Sequence, residues 1–446
     1  MKAVFSMAAI RRKMLQVLER WNESKAKKAF LLVGARQTGK TYIVREFARE
    51  HFAHLAEVNF LEDEKAIRVL SEAQDAEDFV SRLSLICGMP VIPGETLVFL
   101  DEIQEAPDLI TAVKFLVEDG RHRVVISGSM LGTEMKGFRS FPVGYVQIER
   151  MFPLDFEEFC WSQGIDGYLW DTITDCFAAR KPVPDFLHER FLDLWKRYVL
   201  VGGMPQAVQT FVDTHDTQLM RLRQRGILDA YRADITRYVS DEIRSRQIKT
   251  IFDAVPAQLN KENRRFVIRG VTDGGRFSKK IESDFDWLAD AGVVIPVFRS
   301  TEPVFPLGFS REVNQFKLYL SDVGLLFSTF PAVDVERLLE MSEKMNLGSV
   351  YENAVAQELR AHGHESIYYF NKRGVGEVDF LVEEDRSPLV MPIEVKSGRN
   401  SHRHAALDAL MGVKNYKFEG AIVLHPGNLE ENGAITYLPI YFAAFL

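Results

Sequence analysis

The sequence predicts a multidomain α/β protein that begins with a parallel β-sheet built around a phosphate-binding loop. Strand-like and helix-like segments alternate over about the first 160 residues, as they do in parallel sheets. An early apolar strand runs into a glycine-rich loop and a helix, and a later, wholly apolar strand ends in two carboxylates. At 446 residues, the chain has room for roughly two to four domains.

The glycine-rich loop lies between the apolar segment 29–33 and a helix-like segment over 42–50. It consists of Gly34, Ala35, Arg36, Gln37, Thr38, Gly39, Lys40 and Thr41. In this spacing, glycines let backbone N–H groups surround a phosphate, and the following helix N-terminus adds positive potential. Lys40 can reach the β- and γ-phosphates of a nucleotide, and the Thr41 hydroxyl can ligate Mg²⁺. We therefore predict that residues 34–41 bind ATP with Mg²⁺.

The wholly apolar strand, Thr96 to Leu100, carries the second motif at its end. A carboxylate at such a strand tip can hold the Mg²⁺ that bridges the β- and γ-phosphates, a role that suits Asp101. The next residue, Glu102, is placed to polarise an attacking water. Together with the loop, this pair favours adenine-nucleotide hydrolysis, with Lys40 and Glu102 as predicted catalytic residues.

The predicted elements divide the chain into four segments. Strands are predicted over 30–33, 55–59, 97–100, 124–127 and 145–148, and helices over 40–50, 65–73, 76–87 and 109–119. These elements form the P-loop NTPase core, residues 1–160, and a helical lid follows over 161–220. Three helical segments and a strand pair over 221–330 have the order of a winged-helix module. Residues 331–446 begin with a helix and then become strand-rich.

The charge distribution along the chain is uneven. The net charge is −8, yet residues 221–280 contain 15 Lys/Arg and 7 Asp/Glu, so this segment carries +8 and the remainder −16. A basic segment in an acidic chain predicts a surface for a polyanion such as DNA. Basic residues on solvated helix faces are common, and such an ordinary surface is the alternative. The candidate DNA contacts are Arg264, Arg265, Arg269, Arg276 and Lys279.

Cysteine content and hydropathy indicate a cytoplasmic protein. The three scattered cysteines, Cys87, Cys160 and Cys176, are too few for a disulfide framework and fit a reducing cytosol. The N-terminal residues lack the order of a signal peptide. No apolar run approaches the ~18 residues of a membrane helix, so we expect no membrane association.

A second candidate site lies near the C-terminus. A turn-like stretch separates an alternating segment, 376–382, from a second strand, so a hairpin can place Asp379 beside Glu394. These two carboxylates can chelate one divalent cation, with Lys396 on the same strand face and Glu352 adding a carboxylate from a helix. Charges also alternate along many amphipathic strands, so a purely structural origin is the alternative.

The chain resembles the ATPases of the archaeal-type branch of the AAA superfamily, in which a P-loop domain precedes a C-terminal domain of uncharacterised function. The resemblance covers nearly the whole chain. It rests on residues 32–41, 99–104, 127–129, 152–159, 202–205 and 319–326. The later segments 351–353, 377–380 and 393–396 resemble the PD-(D/E)xK nuclease-like fold.

The resemblance implies the roles given above for the nucleotide site and adds a polar sensor of the γ-phosphate, Ser127 or Ser129. The family usually has an arginine, acting on a neighbouring subunit, where this chain has Tyr145. Arg139 or Arg150 would have to replace it, and the oligomeric state stays open.

These features favour a cytoplasmic ATPase that acts as an ATP-driven switch coupled to a nucleic-acid or protein partner. Two other hypotheses remain. In the first, the protein is a metal-dependent nuclease in which ATP only gates cleavage. In the second, it is a non-enzymatic, nucleotide-bound scaffold whose C-terminal domain is a recognition surface.

Overall fold

The described part of the chain folds into two units. The structure, a computed structural model, describes residues 10–24, 26–129, 144–165, 167–261, 264–268, 278–331, 347–383, 388–398 and 402–446. The N-terminal unit comprises Arg11–Phe152 and Asp290–Gly292, and the C-terminal unit is formed chiefly by Pro153–Ala289 and Val293–Leu446. Each unit contains one sheet.

The N-terminal unit is a parallel sheet covered by helices. Its strands are β1 (Ala29–Val33), β2 (His54–Asn59), β3 (Thr96–Asp101), β4 (Arg123–Gly128) and β5 (Val146–Arg150). Its helices are α1 (Lys13–Glu23), α2 (Lys40–His51), α3 (Glu64–Ser71), α4 (Ala76–Cys87) and α5 (Leu109–Asp119), with a 3₁₀ turn at Ile103–Glu105. The strand order is β2-β3-β4-β1-β5, and all neighbours are parallel. The α/β prediction is confirmed for this part of the chain, and each strand lies within two residues of its predicted position.

The two faces of this sheet pack against different helices. Phe30 and Leu32 of β1 lie in a buried cluster with residues of α1 and α2. Leu31, between them, lies in a second cluster with residues of α3, α4 and α5. Because successive side chains of a strand point to opposite faces, a continuously apolar strand such as β1 is buried on both sides.

The strand order determines what meets at the carboxyl edge of the sheet. β4 lies between β3 and β1. The loop after β1, the carboxylates after β3 and the serines at the end of β4 are therefore neighbours at one edge. Segments far apart in the sequence are brought together here by parallel pairing alone.

The C-terminal unit combines many helices with an eight-stranded mixed sheet. Its helices are α6 (Phe156–Ser162), α7 (Tyr168–Ala178), α8 (Asp185–Val201), α9 (Pro205–Thr214), α10 (Thr217–Tyr238), α11 (Glu242–Leu259), α12 (Lys279–Asp290), α13 (Val323–Ser328), α14 (Gly348–Ala361) and α15 (Ala405–Met411), with 3₁₀ turns at Leu307–Ser310 and Ile440–Phe445. Its strands are β6 (Val294–Ser300), β7 (Arg311–Leu320), β8 (Ile367–Lys372), β9 (Gly376–Glu383), β10 (Val390–Val395), β11 (Ala421–His425), β12 (Glu430–Asn432) and β13 (Ile435–Pro439). The order is β12-β13-β11-β10-β9-β8-β6-β7.

The segments predicted as lid, winged-helix module and C-terminal domain are parts of this one unit. The antiparallel pair β6–β7, which we assigned to a winged helix, continues into the C-terminal strands because β6 pairs with β8. From the lid, the Tyr198 hydroxyl of α8 donates to Glu358 Oε1 of α14 at 2.7 Å. The predicted boundaries at residues 220 and 330 therefore fall inside a single unit. Periodicity indicates which residues face a core and carries no signal for which distant strand lies alongside.

Two further expectations concern membrane helices and disulfide bonds. Among the residues described, no helix combines the length and apolarity that crossing a bilayer requires. Cys87, Cys160 and Cys176 are unpaired thiols. Burial raises the pKa of the Cys160 thiol well above its ordinary value, which disfavours the reactive thiolate.

Candidate nucleotide site and carboxylate cluster

The loop between β1 and α2 has a backbone that requires glycine at two positions. Gly39 precedes α2 with a φ of 95°, in the left-handed region that glycine adopts readily. A Cβ on Gly34 would lie 2.2 Å from the backbone oxygen of Met151, far inside van der Waals contact. The Thr38 hydroxyl donates to the Ala35 carbonyl at 2.9 Å and closes the loop. The result is a narrow concave loop before a helix N-terminus.

The Lys40 ammonium lies inside this loop. Its Nζ donates to the carbonyl oxygens of Gly34 and Ala35, both at 2.9 Å. Burial lowers the pKa of Lys40, and the carboxylates of Glu102 and Asp101 partly oppose that effect. The backbone therefore positions the ammonium at the loop, where it can exchange carbonyl oxygens for phosphate oxygens.

Asp101, fully buried at the end of β3, is held by donors from three elements. Thr41 Oγ1 of α2 donates to Asp101 Oδ2 at 2.8 Å, and Asn59 Nδ2 of β2 donates to the same oxygen at 3.1 Å. Ser127 Oγ of β4 donates to Asp101 Oδ1. Burial raises the pKa of Asp101, while the hydrogen bonds from Ser127 and Thr41 lower it. The two predicted Mg²⁺ ligands, Thr41 and Asp101, are thus adjacent.

Glu102, the predicted water-polarising residue, has an unusual backbone and a tethered side chain. Its φ of 57° and ψ of 49° lie in the left-handed region, which non-glycine residues adopt rarely. Gln104 Nε2 and Ser129 Oγ both donate to Glu102 Oε2, at 2.5 and 2.9 Å. Burial alone would raise the pKa of Glu102, but the Lys40 ammonium and these hydrogen bonds lower it. The side chain is therefore an ionised carboxylate at neutral pH.

This edge of the sheet fits a magnesium–nucleotide complex. A hydroxyl and a carboxylate, the oxygen ligands that Mg²⁺ prefers, are in contact at Thr41 and Asp101. The absence of a side chain at Gly34 lets the loop backbone pack directly against Met151, which holds the loop beside the end of the sheet. Lys40 supplies the positive charge that balances phosphate oxygens.

Three residues at this edge were not predicted from the sequence. Arg12 is buried, and its guanidinium donates to the carbonyls of Thr38 and Phe152 at 2.8 and 2.7 Å, so it braces the loop. Asn59 supports Asp101, and Gln104 supports Glu102. Asn59 and Gln104 carried a usable signal, because each is a polar residue at or just beyond the carboxyl end of a buried strand.

Of the two arginines that could act on a neighbouring subunit, one lies in the described part of the chain. Arg139 lies outside the described residues. Arg150 is exposed at the end of β5, where it is the register partner of Val33, the residue just before the glycine-rich loop. Arg150 therefore lies on the accessible side of the strand next to the loop.

The predicted C-terminal residues lie together in the C-terminal unit. β9 and β10 pair antiparallel, with Ile393 opposite Phe380, and this register brings Asp379 beside Glu394. Asp379 Oδ2 accepts a hydrogen bond from the Val395 N–H at 2.9 Å. Lys396 Nζ donates to Glu394 Oε1 at 2.7 Å. Burial and the nearby Asp379 carboxylate raise the pKa of Glu394 to about 7.

This carboxylate cluster also contains two cations that the sequence pattern did not indicate. Lys317 of β7 is fully buried, with its Nζ 2.8 Å from Glu377 and 3.7 Å from both Glu352 and Asp379. Arg264 forms an ion pair with Glu352. Burial alone would lower the pKa of Lys317, but the groups around it, Tyr319 and Asp379 first, raise it. Lys317 and Arg264 thus balance much of the negative charge of the carboxylates in the cluster.

Much of the basic segment 221–280 is engaged by the protein itself. Arg264 pairs with the carboxylate cluster, and Arg265 NH1 donates to Gln315 Oε1 at 3.5 Å. Arg244 pairs with the buried Asp284 at 2.8 Å. Lys279 is exposed at the start of α12. Arg269 and Arg276 lie outside the described residues. The charge count therefore overstated the positive surface that this segment presents.

Three segments of the chain match known protein families. Residues 26–160 match a family described as an AAA domain. Residues 192–334 and 347–442 match two families described as domains of unknown function, DUF8612 and DUF4143. An uncharacterized protein of Methanocaldococcus jannaschii is 23% identical over 372 residues, which cover 81% of this chain and 73% of that protein.

Two solved structures are similar to this chain over most of their length, at low TM-scores. The Walker-type ATPase paby2304 of Pyrococcus abyssi is 13% identical, with a TM-score of 0.42 over 72% of this chain and 95% of that one. The Orc1 protein of Aeropyrum pernix, determined in complex with DNA, is 15% identical, with a TM-score of 0.26 over 74% of this chain and 91% of that one.

Proposed function

We propose that this chain, whose residues 26–160 match a family described as an AAA domain, is a Mg²⁺-dependent ATPase that acts as a switch for a partner. One observation carries the proposal. A concave loop holding Lys40, the Thr41–Asp101 pair and the ionised Glu102 converge at the carboxyl edge of one parallel sheet. Each of these groups matches a task in phosphoryl transfer: charge balance, metal ligation and orientation of water.

The tasks follow from the contacts of each residue. Mg²⁺, when bound, would neutralise charge on the β- and γ-phosphates, with Thr41 and Asp101 as its protein ligands. Lys40 balances phosphate charge and holds the nucleotide in the loop. Glu102, kept ionised by Lys40 and its hydrogen bonds, accepts a hydrogen bond from the attacking water and orients it. Ser127 and Ser129 hold the two carboxylates from the end of β4.

Release of phosphate from ATP by the purified full-length chain tests this proposal. We expect hydrolysis that requires Mg²⁺ and stops when the metal is chelated. Equilibrium binding of ATP, measured in parallel, separates the proposal from the scaffold hypothesis. Binding without any hydrolysis, alone or with added DNA, would favour a non-enzymatic nucleotide-bound scaffold.

A nucleic-acid partner is supported by the basic segment 221–280, although its internal ion pairs reduce the available charge. We expect duplex DNA to bind, with an affinity that falls with a log–log salt slope near −0.9 for each phosphate neutralised. Replacing the exposed Lys279 by Ala should reduce that slope by about one contact. Anisotropy with a labelled duplex measures it.

The matched control for this titration is Lys181→Ala, which removes an exposed lysine outside the basic segment. It should leave the salt slope unchanged. If neither duplex nor single-stranded DNA binds at low salt, a protein partner becomes the better proposal.

A second candidate function, metal-dependent cleavage of a phosphodiester, is favoured by one feature of the carboxylate cluster. Asp379 Oδ2 and Glu394 Oε1 accept hydrogen bonds, whereas the buried Glu394 Oε2 meets no donor within the described ranges. In the part of the chain that the structure describes, the cations nearest to Asp379 Oδ1 are Lys317 and Arg264, at the longer distances of 3.7 and 3.9 Å. These two oxygens would hold the metal.

Calorimetry with Mn²⁺ on the ATP-free protein tests the cluster as a metal centre. We expect one binding event that Asp379→Asn abolishes, because a neutral amide replaces one of the two available carboxylates. Arg264→Met should tighten it, since the arginine competes for Glu352 and Asp379.

The control for this titration is Asp101→Asn, which alters the nucleotide site and should leave the cluster's Mn²⁺ binding intact. Plasmid nicking, with and without ATP, tests the chemistry. Absence of Mn²⁺ binding even in Arg264→Met would exclude the nuclease hypothesis and leave the cluster as a structural ion network.

A further inference from the structure

Gln104 connects the predicted water-polarising carboxylate to the end of the neighbouring strand. It lies in the 3₁₀ turn after β3 and is only 4% exposed. Its Nε2 is 2.5 Å from Glu102 Oε2 and 3.2 Å from Ser129 Oγ. Because Ser129 Oγ also donates to Glu102 Oε2, at 2.9 Å, the three side chains form a closed triangle.

The chemistry of the partners determines how the Gln104 amide is oriented. Glu102 Oε2 already accepts a hydrogen bond from Ser129 Oγ, so the group of Gln104 that faces this oxygen is the NH₂ donor. With that orientation, Gln104 Oε1 is buried and meets no donor among the residues that the structure describes. Leaving a buried acceptor without a partner is unfavourable. Optimal stability therefore does not explain this arrangement.

The contacts leave Glu102 constrained in position with one oxygen available. Its backbone lies in the left-handed region, and both described donors engage Oε2. That leaves Oε1 as the carboxylate oxygen able to accept a hydrogen bond from a water beside a bound nucleotide. A carboxylate with one oxygen tethered and the other available suits orientation of a nucleophile, which requires a defined geometry.

We propose that Gln104 is a positioning residue for ATP hydrolysis: it fixes the carboxylate of Glu102 against Ser129, so that the orientation of the water depends on the end of β4. This inference rests on the proposed ATPase function and adds a residue to it. Gln104 acts through Glu102, because the hydrogen bonds of its amide among the described residues are to Glu102 and Ser129. Loss of the Gln104 contacts would therefore alter hydrolysis more than ATP affinity.

Steady-state and single-turnover hydrolysis by the full chain with Mg²⁺ and ATP tests this role. We expect Gln104→Leu to lower kcat on the order of 10- to 100-fold, within the range of effects of a positioned base, with ATP affinity changed less than about twofold. Ser129→Ala should act in the same direction, and Ser129→Thr, which keeps the hydroxyl, should restore most of the rate.

Gln224→Leu is the matched control, because it also removes a fully buried glutamine amide that donates to backbone carbonyls, in the C-terminal unit. It should lower thermal stability without lowering kcat. An unchanged or higher kcat in Gln104→Leu would overturn the inference, the higher rate meaning that Gln104 restrains Glu102. A wild-type chain that hydrolyses no ATP would instead contradict the proposed function itself.

Discussion

Replacing Glu102 with Gln is expected to give a protein that binds ATP but hydrolyses it about 10²- to 10⁴-fold more slowly than the wild type. Glutamine keeps the shape of the side chain and can still contact Ser129, whereas it loses the negative charge that orients the attacking water. Lys40→Ala should behave differently and lose ATP binding together with hydrolysis, because it removes the cation inside the loop. Equilibrium binding and single-turnover hydrolysis, measured on both variants, separate the two effects.

Glu95→Gln provides the control for the charge change, since Glu95 is exposed at the opposite end of β3. Its turnover should stay within about twofold of the wild type, because exposed substitutions of this kind have small effects. If Glu102→Gln turned ATP over at the wild-type rate, Glu102 would not be the residue that orients water.

Lys317→Met is expected to destabilise the C-terminal unit by about 3–5 kcal/mol, the usual consequence of removing one partner from a buried ion cluster. Methionine preserves most of the volume but leaves Glu352, Glu377 and Asp379 without their shared cation. Hydrogen exchange of the β7, β9 and β10 amides reports the loss locally. Their open population should rise on the order of 10²- to 10⁴-fold.

The destabilisation should also depend on pH. Burial and Asp379 raise the pKa of Glu394 to about 7, and Lys317 lowers it, so that removing Lys317 would raise this pKa further above that of the unfolded chain. Stability is then present at acid pH and is lost as the pH rises through the folded-state values. The difference from the wild type should therefore shrink from pH 8 toward pH 5.

Lys372→Met is the control for this variant, because Lys372 lies half exposed on the neighbouring strand β8, 3.8 Å from Glu302. Exposed pairs of this kind contribute little to stability, because water screens them. Equal exchange rates in Lys317→Met and the wild type would show that the carboxylates are neutralised by protonation and not by Lys317.

The nucleotide site could be predicted because its signal is local. The loop residues, Asp101 and Glu102 each follow an apolar strand, and parallel pairing brings the ends of such strands to one edge. Asn59 and Gln104 obey the same rule. They were missed because neutral amides at strand ends have no single chemical role and gain one only from the carboxylate they contact.

The carboxylate cluster was predictable only in part, for a physical reason. Asp379 and Glu394 come from consecutive strands, so a hairpin suffices to bring them together. Lys317 and Arg264 come from segments more than 50 residues earlier in the sequence. Lys317 lies on β7, and β7 reaches the C-terminal strands only because its partner β6 also pairs with β8. Arg264 was expected to face DNA, because a count of charges does not reveal which carboxylates lie nearby.

The pairing of β6 with β8 limits where the gene for such a chain can recombine. The boundary between the two matched families, 192–334 and 347–442, falls between strands of one sheet. Recombination at that point would give one product a bare edge at β8 and the other an orphan hairpin, both prone to pairing with other chains. A gene that encodes one of the two sequence families is therefore expected to encode the other as well, because both contribute strands to the same sheet.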